Sequence, residues 1–290
     1  MMNCVYCSGK LIPFRCQAID SLPENYMFAS EMKSFLPSLT HGKCNSCGSI
    51  IATDCRMESE EKLLKIYSNL PAEYWGQYEP SDSDTLYQEL EKRLNPSKER
   101  MNICDVGCGN GHFLNLLDDC WNKFGVEPGQ ISNKLLTSRS IEYFKGTLEQ
   151  SNFNKQSMDV VTYFDIFEHL INPIKEIKVA KEFLSPNGKL IIFTGNASSI
   201  TAKLANKAWV YLKYIEHITV ASEKAVVNAL KLCGFSKIEV VKVNHPTSTN
   251  FIKWLACLSA SKITIAKEKI AVNRRHVPLF FDHMLIIASI

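Results

Sequence analysis

The stretch ICDVGCGNGHFLNLL, residues 103–117, decides the fold: an apolar run, a turn with glycines at 107, 109 and 111, then the start of an amphipathic helix. Glycine adopts positive φ without steric cost and lets the backbone approach a ligand closely, while a helix N-terminus offers unpaired N–H groups. The spacing is GxGxG, tighter than the GxGxxG dinucleotide pattern. By itself the triplet fits either a ligand cradle or a plain tight turn.

Working outward, FGVEP closes a second apolar run with Glu127, where Rossmann-like sites hold the acid that binds a ribose. A carboxylate accepting from two hydroxyls gains roughly 1.5–3 kcal/mol per bond; the competing reading is a solvated charge at a strand end. Asp105 either holds the loop or holds water beside a ligand. From Met101 onward short apolar runs alternate with helical patterns, the sign of βαβ units and a parallel sheet. Strands are predicted at Asn102–Val106, Phe124–Glu127, Met158–Phe164, Lys189–Thr194, Lys237–Val243 and Met284–Ser289, with a crossover helix through Ser222–Cys233 and Gly234 as its C-terminal cap. The domain expected over 101–290 carries an insertion at about 244–283. Upstream, residues 57–100 read as a helical connector, with Leu63, Leu64, Ile66 and Tyr67, then Leu86, Leu90 and Leu94, at helical spacing between prolines 71, 80 and 96.

The segments ICDVGCGNGHFLNLL, FGVEP and MDVVTYFDIFEHLINPIKEIKVAKEFLSPNGKLIIFTGN resemble motifs I, post-I, IV and V of the class I S-adenosylmethionine-dependent methyltransferases. The nearest likeness is the subgroup reading EHLxxP after its fourth strand. The resemblance covers about Tyr67 to the C-terminus and implies an α/β, Rossmann-like sheet of seven strands in the order 3-2-1-4-5-7-6, strand 7 antiparallel. It implies S-adenosylmethionine as cofactor, with Asp105, Gly107, Gly109 and Asn110 on the methionine part, Glu127 on the ribose, and Cys108 and Pro128 beside them. Thr147 and Leu148 fall where the family contacts adenine, and Phe164 and Asp165 where it lines the sulfonium. KIYSNLPAEYWGQY is similar to the helix covering the cofactor, with Tyr67, Tyr74 and Trp75 as lid aromatics. Thr194-Gly195-Asn196 departs from the subgroup's usual Thr-Pro-Asn, which loosens a turn near the substrate.

Methyl transfer is an in-line displacement, so holding nucleophile and methyl in contact supplies most of the rate, up to about 7–11 kcal/mol. A base is needed only for a protonated acceptor. His169 and His217 are the candidates; each also reads as a bracing or packed histidine. Glu168 and Glu216 read as solvated or structural partners. Trp209 and Tyr211 read either as an acceptor wall or as core.

Cys4-x-x-Cys7 and Cys44-x-x-Cys47 form two matched knuckles in residues 1–56, a zinc-ribbon-like module. Four thiolates give tetrahedral Zn2+ with bonds of about 2.3 Å and no open position, hence a structural metal. Its binding supplies folding energy that so small a module lacks. Cys16 and Cys55 echo the knuckles and are read as core thiols, with a spare-ligand role open.

Nothing in the start MMNCVYCSGK reads as a secretory signal, so a cytoplasmic, reducing location is expected and the eleven cysteines are read as thiols or ligands. No run reaches the roughly 18 apolar residues of a membrane span. In this chain of 290 residues, 33 Lys+Arg against 30 Asp+Glu leave a net charge of +3, which announces no polyanion partner. A small-molecule acceptor (a sugar, natural-product intermediate or small peptide) is therefore the leading expectation. RNA gripped by the zinc module is the second, and a non-catalytic scaffold the third. The amphipathic Phe251–Ile270 segment either covers the site or pairs with a second subunit in a homodimer.

Overall fold

Apolar runs buried on both faces set the frame of the larger sheet. The computed structural model describes residues 3–18, 38–54, 60–70, 83–94, 100–131, 133–243 and 282–290. In chain order these residues form β1 (Leu11–Ala18), β2 (Ser38–Cys44), β3 (Ile50–Ala52), α1 (Glu60–Asn69), α2 (Ser83–Leu94), β4 (Met101–Val106), α3 (His112–Leu116), β5 (Trp121–Glu127), α4 (Asn133–Ser138) and β6 (Ile141–Lys145). Then follow β7 (Met158–Phe164), α5 (Pro173–Phe183), β8 (Leu184–Gly195), α6 (Ile200–Ala205), β9 (Thr219–Val220), α7 (Glu223–Leu232), β10 (Lys237–Val243) and β11 (His283–Ser289).

The seven-stranded sheet runs β10-β11-β8-β7-β4-β5-β6, with β11 antiparallel to both neighbours. Read from β6, this is the expected order 3-2-1-4-5-7-6. Successive side chains of a strand point to opposite faces. Cys104, Val161, Ile192 and Ile286 accordingly join one core with α5 and α7. Their neighbours Ile103, Val160, Ile191 and Leu285 join the other, with α2, α3 and Leu136 of α4. A sheet covered on both faces leaves its ligand site at the strand ends, where the order reverses about β4.

Local chemistry sets the helix ends. Asn172 caps α5, its side chain accepting from Lys175 N–H at 3.2 Å, with Pro173 in the first turn. Ser222 caps α7 the same way toward Ala225 N–H. At the far end Gly234, at φ 85°, donates to Lys231 O while Phe235 N–H donates to Leu230 O. These two bonds make a Schellman ending that a left-handed residue permits, as Gly234 was expected to provide.

Several boundaries differ from expectation. β5 begins at Trp121 rather than Phe124, because the indole is buried beneath the sheet. β8 begins at Leu184, which pairs with Met158, rather than at Lys189. β11 begins at His283, so the insertion stops short of that residue. The N-terminal strands do not close on themselves. They form a second sheet, β1-β2-β3-β9, whose last strand comes from residues far beyond 56. Tyr6, Leu11, Cys44 and Ile51 share one core with α5 and α7, which ties this sheet to the larger one. Among the described residues no helix is long and apolar enough to cross a membrane. The expected Phe251–Ile270 helix, Tyr74, Trp75, Cys55 and the connector's three prolines lie outside the described residues.

Candidate active site

β4 ends in a turn whose three glycines all take positive φ: 76° at Gly107, 50° at Gly109 and 75° at Gly111. An L side chain is strained there. A Cβ on Gly107 would also overlap Ile166, and one on Gly111 would press on Ile141 and Leu136. Those neighbours are movable side-chain ends, so it is the left-handed φ more than the packing that favours glycine at these two positions. Asn110 braces the turn, its Oδ1 accepting from His112 N–H at 3.1 Å and its carbonyl from Arg139 at 2.6 Å.

Two carboxylates flank this turn. Glu127, only 1% exposed, accepts from Gly109 N–H at 3.2 Å and from Gly129 N–H at 2.7 Å. Burial pushes its carboxyl up to about 7. Asp105, on β4, accepts from the Thr162 hydroxyl at 2.6 Å, and burial likewise lifts it to about 7. Glu127 is thus not the solvated charge that the alternative reading supposed. Hydroxyl or ammonium donors would stabilise the ionised forms of acids buried in this way. Cys108 is buried and packs its sulfur against Gly125. Pro128 follows Glu127, half-buried.

Beyond the turn, Phe164 meets Phe113 edge-on at 4.6 Å and Tyr87 at 5.1 Å between ring centroids. Asp165 follows it in a left-handed conformation, φ 51°. Thr147 exchanges bonds with Gln150. Leu148 is fully buried in the core, so near this face it offers backbone rather than side chain.

The two candidate histidines converge. His169 and His217 stand edge-on with ring centroids 5.0 Å apart. His169 Nδ1 lies 2.8 Å from the Tyr67 hydroxyl, which ties α1 to the site. Removal of the His169 ring from water lowers it to about 4. His217 Nδ1 lies 2.7 Å from the Tyr211 carbonyl oxygen. A carbonyl only accepts, so Nδ1 carries a proton, and in the neutral ring Nε2 is then the nitrogen with the lone pair. That Nε2 is 4.0 Å from Glu168 Oε1.

Glu168 is not solvated: it is 1% exposed, and the hydroxyls of Tyr211 and Thr194 donate to its two oxygens. Burial raises its carboxyl, and the nearby Asp165 charge adds to this. Ligand atoms of Glu168, His169 and His217 lie within 4.8 Å of one another. Both carboxylate oxygens of Glu168 are already engaged by these hydroxyls, so the trio is tied into the surrounding hydrogen-bond network. Glu216 is buried too. Trp209 stacks on Tyr211 at 5.1 Å, both buried, so this aromatic pair is core that also braces His217, whose ring centroid lies 4.1 Å from that of Tyr211.

Gly195 explains the departure from Thr-Pro-Asn. Its N–H donates to the Tyr211 hydroxyl oxygen at 3.0 Å, and any Cβ there would overlap the Tyr211 ring. Proline lacks that N–H and fills that space. Glycine here thus makes room for the Tyr211 ring. The sequence reading missed His283, which faces Gly195 across β8 and β11, stacks on Phe193 at 5.2 Å and lies 4.0 Å from Asp165 Oδ1. A histidine opening an otherwise apolar run was the available signal.

In the N-terminal sheet, Cys4, Cys7, Cys44 and Cys47 bring their sulfurs within 4.8 Å of one another. The Cys4–Cys47 and Cys7–Cys44 separations are 3.6 and 3.5 Å. A tetrahedron of about 2.3 Å zinc–sulfur bonds has edges of about 3.8 Å, so the four thiols fit Zn2+. Cys16 is exposed and accepts from the Thr40 hydroxyl at 3.5 Å. It is not the core thiol expected, since its β1 position faces solvent.

Residues 74–240 match the family described as a methyltransferase domain. The chain is 27% identical over 150 residues to a ubiquinone biosynthesis O-methyltransferase of Aliivibrio fischeri, covering 46% of this chain and 62% of that protein. It is 23% identical over 203 residues to a tRNA U34 carboxymethyltransferase of Sulfurimonas denitrificans, covering 66% and 68%. Among solved structures, phosphoethanolamine N-methyltransferase 2 of Haemonchus contortus with S-adenosyl-L-methionine superposes with a TM-score of 0.53 at 15% identity, over 81% of this chain and 58% of that one. At that identity the likeness concerns the fold.

Proposed function

The chain belongs to the methyltransferase-domain family, and from that premise we propose that it transfers a methyl group from S-adenosylmethionine to a small-molecule acceptor, with His217 as the base. The observation that carries this reading is the left-handed glycine turn of β4 set against the buried Glu127 carboxylate. Glu127 would accept from the ribose hydroxyls, and Asp105 with the turn would hold the amino-acid end. Phe164 and Asp165 would line the transfer face, with Tyr67 over it. When bound, the cofactor supplies an electrophilic methyl group. His217, its Nδ1–H fixed on the Tyr211 carbonyl, presents Nε2 to take a proton from the acceptor. Glu168 keeps Tyr211, and so His217, in place. Zn2+ on Cys4, Cys7, Cys44 and Cys47 would be structural.

The tRNA-modifying relative favours RNA as the second reading of the acceptor. Incubating the protein with isotope-labelled cofactor in cell extract separates the two: label in a small metabolite supports the first, label in RNA the second. Label in neither, together with no calorimetric heat on adding S-adenosylmethionine, would leave only a scaffold.

A further inference from the structure

The segment that carries His217 is bonded, carbonyl by carbonyl, to the cysteine-bearing sheet. His41 Nε2–H donates to the His217 carbonyl at 3.4 Å. Ala52 N–H donates to the Ile218 carbonyl at 2.7 Å. The Tyr6 hydroxyl donates to the Thr219 carbonyl at 3.5 Å. Thr219 and Val220 pair with Ile51 and Ile50 as β9. Ser222 N–H then donates to Ser49 Oγ at 3.0 Å, and the Ser222 hydroxyl to the carbonyl of Cys47 at 2.5 Å. Five hydrogen bonds and the β9 pairing therefore join the cysteine-bearing segments to residues 217–222.

On its other side the same segment rests on the turn that bears His169. Ile218 N–H donates to the Glu168 carbonyl at 2.9 Å, and the Thr219 hydroxyl to the Leu170 carbonyl at 2.7 Å. The N-terminal sheet thus clamps His217 against His169. His41 has no exposed surface, and its Nδ1 makes no hydrogen bond. Burying an imidazole with one nitrogen unpartnered costs stability that a leucine of similar size would not incur. Its N–H toward the His217 carbonyl is the one polar service it renders here.

We propose that the four-cysteine metal site and His41 together act as a positioning device for His217, setting the acceptor side of the site more directly than the cofactor crevice, with which the cysteine-bearing sheet shares apolar core. The inference rests on the reading of His217 as base and of the cysteines as zinc ligands. It predicts that metal occupancy governs the order of residues 217–222 separately from S-adenosylmethionine binding.

The full chain, loaded with zinc, is compared with chelator-stripped protein and with zinc-loaded His41→Leu and His41→Gln. Three quantities are read: amide hydrogen exchange, the Cε1–H signal of His217 in histidine-labelled protein, and the Kd for S-adenosylmethionine by calorimetry. Stripping is expected to speed exchange at residues 217–222 by about 100-fold or more and to move the His217 signal. Exchange in β4 and β5 should hold, and Kd stay within about twofold. His41→Leu should give the same changes at about tenfold in exchange, with metal still bound. His41→Gln returns an N–H at the same reach and should restore both signals.

Unchanged exchange and an unmoved His217 signal after stripping would overturn the proposal. So would acceleration spread evenly over β4 and β5, since the metal would then hold the chain as a whole. So too would His41→Gln behaving like His41→Leu, because the side chain would then matter for packing alone. Failure of the zinc-loaded protein to bind S-adenosylmethionine is a separate result: it removes the proposed methyl transfer while the exchange comparison stands.

Discussion

Glu127 joins the turn to whatever lies in the crevice. It accepts from Gly109 and Gly129 N–H groups, and its proposed bonds to two hydroxyls are each worth roughly 1.5–3 kcal/mol. Glu127→Ala should therefore raise the S-adenosylmethionine Kd by about tenfold or more in calorimetry; an unchanged Kd contradicts the ribose role. Asp105 and Glu127 both hold their protons up to about pH 7 through burial. The folded chain thus binds protons more tightly than the unfolded one. The cofactor-free fold gains most from these groups below about pH 4 and loses that gain as pH climbs through about 7. Asp105→Asn keeps an acceptor for the Thr162 hydroxyl and removes its share of this loss, on the order of 2–4 kcal/mol. Urea unfolding at pH 5 and 7.5 should show a smaller gap in the variant than in the parent. Gly195→Ala drives a methyl into the Tyr211 ring and should cost about 1–3 kcal/mol in the same assay, since backbone and ring cannot both stay. At this scale the left-handed glycine turn was legible in sequence because the residue type carries the conformation, whereas the burial of Glu127 and the meeting of His169 with His217 had to come from the fold. Gly195 was misread because the group that needs it, Tyr211, lies sixteen residues on.

Among elements, α7 ends as its sequence demands, with Gly234 left-handed at 85°. Alanine there should cost about 1 kcal/mol. It would also displace Lys181, which donates to the Cys233 carbonyl at 2.8 Å; a shift in thermal midpoint reads the effect, and no shift would mean that the ending relaxes freely. The long strands were visible from their apolar runs, which both sheet faces bury. β9 was not, because two residues carry no period. Nor was the pairing of β1 with β2, whose register shifts between Pro13 and Arg15.

Over the whole molecule, the shared core makes the cysteine-bearing sheet part of one structure rather than an appendage. A chain lacking residues 1–54 would leave the carbonyls of residues 217–219 without their donors and bare the apolar faces that Tyr6, Leu11 and Ile51 cover. It should aggregate or be cut early within 215–222 by protease, as size exclusion and limited digestion would reveal; a monomeric, resistant product would show that the sheet is dispensable. The sequence by itself determined the glycine turn with its acid and the thiol spacing suited to zinc, because each is a pattern among neighbouring residues, while the seven-stranded order came through the family resemblance that its motifs carry. Only the tertiary structure decided which groups meet: His41 with His217 across 176 positions, and His283 with Asp165. Contacts so distant along the chain leave no periodicity to read, since they arise from how the two sheets pack and not from any local preference.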